Sequence, residues 1–202
     1  MVRNMEKTQK NQLFISLVLL TFLLLVQPVF AQTERDALIS LYMATGGNSW
    51  GANSGWKESP VLEDGFNEDP CTAPLWYGVT CSSLQNSTTS EHTVTSINLE
   101  FNGLKGEIPT ELGNLSNLEY LDMFTNQLMG EIPAELGNLS NLEYLDLNDN
   151  QLTGKIPASF INLTSLYDGG GLFLNGNHLY TDSNTLREFL NNKSSEPWKL
   201  GR

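Results

Sequence analysis

The chain has 202 residues, 23 acidic against 11 basic groups, and a formal net charge of −12. That balance argues against nucleic acid or an anionic lipid surface as partner, and favours basic proteins or neutral carbohydrate. Its two cysteines, Cys71 and Cys81, have no companion histidines nearby and cannot complete a tetrahedral zinc site.

Residues 1–31 read as a targeting segment. Arg3, Lys7 and Lys10 precede an apolar run from Leu13 to Val26, and Val29-Phe30-Ala31 offers a small-residue cleavage point before Gln32. The run falls short of the roughly 20 residues a bilayer span needs, so a signal peptide is expected, with an uncleaved anchor as the alternative. Cleavage would remove three basic groups and Glu6, taking the formal charge from −12 to −14. The mature product is then expected outside the cell: secreted, or held at the cell surface or cell wall.

Residues 32–93 read as an N-terminal cap. Ala37, Leu38, Leu41 and Tyr42 fall at helical spacing, which predicts a helix from Thr33 to about Thr45, stopped by Gly46-Gly47. A loop from Asn48 to Asp69 carries Trp50, Trp56 and Phe66, aromatic area suited to covering an open core edge. Cys71 and Cys81, ten residues apart, are expected to pair in an oxidising compartment. The polar segment from Ser82 to Thr93 reads as a loop. Glu63, Asp64, Glu68 and Asp69 lack the spacing of a calcium loop and read as solvated.

Residues 94–180 repeat. Three stretches beginning at Val94, Leu118 and Leu142 nearly copy one another at a 24-residue step, marked by Asn102, Asn126 and Asn150 and by Pro109, Pro133 and Pro157. A degenerate fourth copy carries Leu172, Leu174, Asn177 and Leu179, displaced by three extra residues within Asp168-Gly169-Gly170-Gly171. Such a period predicts a solenoid whose units bury their apolar faces only against neighbours. Ile97/Leu99, Leu121/Met123 and Leu145/Leu147 alternate with polar residues, the pattern of a strand with one buried face. Asn102, Asn126, Asn150 and Asn177 are candidates for an inward ladder satisfying backbone groups between coils. Gly106, Gly130 and Gly154 are expected in turns, and the Ile-Pro pairs after them in extended chain. Residues 181–202 read as a C-terminal cap: a short helix from Asp182 to Asn192, capped by Asp182 or Ser183, with Trp198 in the tail.

These residues carry a family resemblance. The run L-x-x-L-x-L-x-x-N-x-L-x-G-x-I-P-x-x-L-G-N-L, preceded by Cys71…Trp76-Tyr77-Gly78-Val79-Thr80-Cys81, resembles plant-type extracellular leucine-rich repeat proteins, covering about residues 33–180. The resemblance implies an α/β-type solenoid: a right-handed superhelix of about four repeats plus caps, with a parallel β-sheet on its concave face. It also implies a role in recognition, as in receptor-kinase ectodomains, receptor-like proteins and polygalacturonase inhibitors. About four repeats are fewer than receptor ectodomains commonly have. The sequence carries no kinase domain and no cysteine pair in its last cap, so signalling by this chain alone is not expected. The loop from Asn48 to Asp69 is longer than the compact plant cap.

Strand residues between the buried leucines point onto the concave sheet, because side chains alternate. One column is Ser96, Tyr120, Tyr144 and Gly171; the next is Asn98, Asp122, Asp146 and Phe173; the third is Glu100, Phe124, Asn148 and Asn175. Tyr120, Asp122, Phe124, Tyr144, Asp146, Asn148, Asn98, Glu100 and Phe173 are the candidate ligand contacts, mixing aromatic and acidic groups as a protein hot spot or sugar platform would. The competing reading is an ordinary solvated sheet. Phe101, Thr125 and Asp149 flank the columns. Sequons stand at Asn86, Asn114, Asn138, Asn162 and Asn192, three of them being the repeat's own N-L-S/T element.

Catalysis finds little support. His92 and His178 sit in no nucleophile or metal motif. Asp122 and Asp146 would lie about 5 Å apart on adjacent strands, but an exposed sheet offers no burial to raise one of them for general-acid work. No cofactor and no metal are expected. The leading expectation is a secreted, non-catalytic module binding a protein or peptide on its concave face, for example as an inhibitor of a secreted wall-degrading enzyme or a defence or signalling component. The alternatives are a structural cell-wall or matrix glycoprotein and a co-receptor fragment.

Overall fold

The computed structural model describes residues 29–58, 61–72, 74–83 and 92–196. Most of the expected targeting segment, the sequon at Asn86 and Trp198 lie outside them.

Helix α1 spans Val29–Ala44, four residues earlier than the apolar spacing predicts, and so runs through the expected cleavage point. Ala37, Leu38, Leu41 and Tyr42 are buried, and the chain leaves the helix through Gly46 at φ 71°. Two charged residues on α1 are also buried, which the apolar pattern does not show. The Glu34 carboxylate accepts from Thr93 Oγ1 at 2.6 Å and from the Val94 amide at 3.1 Å. Arg35 donates to the Asn67 carbonyl at 3.0 Å and forms a two-pronged pair with Asp64 at 2.6 and 2.9 Å. The acidic loop is therefore partly structural, not simply solvated: Asp64 anchors α1, and Asp69 accepts from the Cys71 amide. Cys71 and Cys81 are disulfide-bonded. Tyr42, Trp50, Trp56, Phe66 and Trp76 form one buried cluster, with contacting ring centroids 4.6–6.1 Å apart.

The solenoid holds two sheets. The first runs β1(Val79–Ser83), β2(His92–Asn98), β4(Tyr120–Asp122), β6(Tyr144–Asp146), β8(Leu172–Phe173). Strands β2 to β8 pair in parallel, Ile97 beside Leu121 and Leu121 beside Leu145. The segment expected as a loop after Ser82 instead supplies the ends of β1 and β2, which pair antiparallel. Thr93 and Val94 are drawn into the core by Glu34, and β1 covers the edge that β2 would otherwise leave unpaired. The second sheet, β3(Lys105–Glu107), β5(Gln127–Gly130), β7(Gln151–Lys155) and β9(His178–Tyr180), is parallel and was not expected. Gly106, Gly130 and Gly154 belong to these strands and not to turns. A Cβ on Gly106 would fall 2.0 Å from the Ala44 carbonyl oxygen.

Each Ile-Pro pair leads into a one-turn 3₁₀ helix: Thr110–Asn114, Ala134–Asn138 and Ala158–Asn162. Successive turns stack so closely that Gly113 and Gly137 have no room for a Cβ, which would meet the next coil at 2.4 Å. The third copy has Ile161 at this position, half exposed. Among the described residues no fourth 3₁₀ turn follows it, and the side chain is tolerated.

The asparagines link the coils. Asn126 Oδ1 accepts from the Asn102 and Leu104 amides, while its Nδ2 donates to the Leu99 and Met123 carbonyls, all within 2.9–3.2 Å. Asn150 and Asn177 repeat the pattern through Leu128 and Leu152. Asn102 has no preceding repeat and bonds the cap instead, accepting from the Ala52 amide at 2.6 Å and donating to its carbonyl at 2.9 Å. At the other end, α2 spans Asn184–Lys193 with Ser183 as its N-cap. Its last turn clamps the glycine run: Gly169 and Gly171 donate to the Asn192 and Lys193 carbonyls, and the Lys193 ammonium reaches the Leu166 carbonyl and Asp168.

Candidate recognition surface

The pairing register sets Ser96, Tyr120 and Tyr144 in one row and Asn98, Asp122, Asp146 and Phe173 in the next. Tyr120 and Tyr144 stack face to face, centroids 4.5 Å apart and planes 6° from parallel. Phe173 continues the line at 5.3 Å from Tyr144. Ring spacing thus matches strand spacing, and the stack is a direct product of placing aromatics at one repeat position. A second contact, Phe101 edge-on to Phe124 at 5.0 Å, lies further along the same face.

Asp122 and Asp146 share this face but are not exposed; 4 % and 7 % of their surfaces meet solvent. Each carboxylate is fully engaged by its own coil. Asp122 accepts from the Tyr120 hydroxyl at 3.0 Å and the Phe124 amide at 2.9 Å. Asp146 accepts from the Tyr144 hydroxyl at 3.2 Å and the Asn148 amide at 2.8 Å. They position the rings above them, and a guest would touch the rings first. Burial raises the Asp146 carboxyl above its ordinary value, with the neighbouring Asp122 charge adding to the rise. The premise that this sheet offers no burial therefore fails at Asp146, because the tyrosines roof it. The same environment acts on the phenols. Burial, then the Asp122 hydrogen bond and charge, pushes Tyr120 up to about 12; burial and the two aspartates push Tyr144 up as well.

The polar candidates divide. Asn98 and Glu100 are exposed on β2 and just past it, with Asn98 Oδ1 accepting from the Glu100 amide at 3.3 Å. Asn148 Oδ1 accepts from the Asn175 amide at 2.6 Å and so spans two coils. Sequence reasoning gave Phe101 only a flanking place, yet it is 66 % exposed and packs against Phe124. Phe101, Thr125 and Asp149 adopt left-handed backbone, φ 49–52°, and the fourth copy uses Gly176 there at φ 69°. That position just before the ladder asparagine was the available signal. Thr80, the register partner of Ser96 on β1, was read only as part of the Trp76 to Cys81 cap signature. Among the described residues, Asn114, Asn138, Asn162 and Asn192 are exposed. No group of three or more His, Cys, Asp or Glu among the described residues could hold a metal ion. No helix among them is long and apolar enough to cross a membrane.

Parallel coils, an asparagine ladder and a 24-residue step define a leucine-rich repeat solenoid. The leucine-rich repeat family model matches residues 93–115, 117–139 and 141–163, and the chain carries leucine-rich repeats similar to those of plant leucine-rich repeat receptor proteins. It is 35 % identical over 123 residues, 60 % of this chain, to the probable leucine-rich repeat receptor-like protein kinase of Arabidopsis thaliana. The chain spans only 11 % of that relative's length. Among solved structures it resembles the ectodomain of the Arabidopsis thaliana receptor kinase SOBIR1, at 28 % identity and a TM-score of 0.59, covering 79 % of this chain and 74 % of that one. It also resembles the PEPR1–AtPEP1 structure, at 28 % identity and a TM-score of 0.54, covering 73 % of this chain and 18 % of that one.

Proposed function

We propose that the protein is an extracellular, non-catalytic recognition module that holds a protein or peptide partner against its concave sheet. The observation that carries this reading is the half-exposed line of Tyr120, Tyr144 and Phe173, set across three coils by strand register. Aromatic side chains anchor interfaces because they bring large area at little entropic cost. The likeness to PEPR1, solved together with AtPEP1, supports a peptide or protein guest over a purely structural role. Inhibition of a secreted wall-degrading enzyme and a part in defence or signalling are two forms such recognition would take; a carbohydrate guest would use the same rings. Asp122 and Asp146 are assigned a supporting role, since both oxygens of each carboxylate already hold hydrogen bonds from their own coil. The exposed sequons of the 3₁₀ turns lie away from the sheet, so glycans there would leave it open.

Replacing Tyr120, Tyr144 and Phe124 together with Ala should abolish capture of the partner from native secretions, while the variant keeps its circular dichroism. Undiminished capture by the folded triple variant would remove the concave sheet from the interface.

A further inference from the structure

The aromatic stack stops abruptly at one end. Tyr144 is flanked on both sides, by Tyr120 and by Phe173. Tyr120 is flanked only by Tyr144; among the described residues no other ring contacts it. Its next register partners across the sheet are Ser96 on β2 and then Thr80 on β1. Where the row has held a ring on successive strands, it now holds two small hydroxyl side chains.

The chemistry beside this shelf is one-sided. Asn98 on β2 and Glu100 just past it are exposed, and Asp122 and Asp146 are buried, each bonded to its tyrosine hydroxyl. No Lys or Arg occupies any concave position from Ser96 to Phe101, Tyr120 to Thr125, Tyr144 to Asp149 or Gly171 to Gly176. The Tyr120 hydroxyl donates a hydrogen bond to the Asp122 carboxylate, which enriches the electron density of its ring. An electron-rich ring face next to unbalanced carboxylates attracts a planar cation, and guanidinium both stacks on aromatic faces and pairs with carboxylates in a fork.

We infer that the shelf formed by Thr80 and Ser96 against the free face of Tyr120 is a subsite for an arginine side chain of a peptide partner, its guanidinium continuing the ring stack and its charge facing Glu100. The inference rests on the concave reading above and specifies which partner that face selects. Lysine would share the charge but not the planarity, and a neutral planar guest would lack the attraction to Glu100.

The test uses the full chain and a random dodecapeptide display library. Selected peptides should be enriched in arginine. For a synthesised selected peptide, exchanging that arginine for citrulline, which keeps the plane and removes the charge, should weaken binding about tenfold. Ser96→Tyr should do the same by completing the stack with the protein's own ring. Glu100→Gln should weaken binding several-fold and flatten its dependence on salt. A pool without arginine enrichment overturns the inference. So does binding untouched by Ser96→Tyr yet lost in Phe173→Ala, a result that would leave the concave reading standing. Binding untouched by both variants would overturn the two together.

Discussion

The repeats and the N-terminal cap solve one problem by opposite means. Each must satisfy backbone groups at a coil boundary and bury an apolar edge. The repeats do so by translation: the same asparagine, leucines and 3₁₀ turn recur, and Asn126 ties its own coil to the preceding one. The cap has no preceding coil to copy. It meets Asn102 with Ala52, covers the core with a five-ring aromatic cluster, and ties itself together through Arg35, Asp64 and Cys71–Cys81. The lesson is that a linear array can be read from any one of its units, whereas its end depends on single contacts between distant residues.

That difference can be broken deliberately. Trp56 is fully buried among Tyr42, Trp50 and Trp76. Trp56→Ala should cost about 4 kcal/mol in denaturant unfolding, and the damage should reach the repeats by exposing their first edge. Survival of the cap's near-ultraviolet dichroism in that variant would contradict its role as the anchor. Asn126→Ala strands buried amides and carbonyls in two coils and should cost about 3 kcal/mol, whereas Asn102→Ala, facing the cap loop, should cost less. Equal losses would mean the cap is as tightly coupled as a true repeat.

Smaller effects sharpen the contrast. Thr125→Gly relieves left-handed backbone and should stabilise by about 1 kcal/mol. Gly176→Thr should destabilise by more, because a Cβ there would meet Asp149. The smallest effect is electrostatic. The folded Asp146 carboxyl lies above its unfolded value, so its contribution is fully present below the unfolded value and is lost as pH rises through the folded one. Asp146→Asn should therefore gain thermal stability relative to the parent as pH rises above the ordinary carboxylate range. A difference independent of pH would contradict the burial beneath Tyr144.

What could be read from the residues follows the same division. The period gives the strands, the ladder and the concave columns, because each signal is repeated at least three times. The placement of Tyr120 beside Tyr144 follows from that register alone. The second sheet was missed because Gly106, Gly130 and Gly154 signal a turn locally; they do adopt the positive φ expected of them, but that they do so within paired strands is a tertiary fact. The burial of Asp122 and Asp146 was missed because alternation places a side chain on a face without telling what roofs it; the hydroxyls two residues earlier do. Glu34 and Arg35 were invisible for a related reason, their partners lying 29 to 60 residues away. The segment from Ser82 to Thr93 was read as loop because it is polar, so the pairing of β1 with β2, which sets Thr80 beside Ser96, was not expected.

The central claim is that partners dock on the ringed inner sheet, and site-specific photo-crosslinking tests it most directly. Benzoylphenylalanine would replace Phe124 or Phe173 on that sheet, and Ile161 on the outer 3₁₀ edge, each in the full chain. Adducts with the bound partner should form from positions 124 and 173 and not from 161. Adducts from position 161 alone would contradict the account.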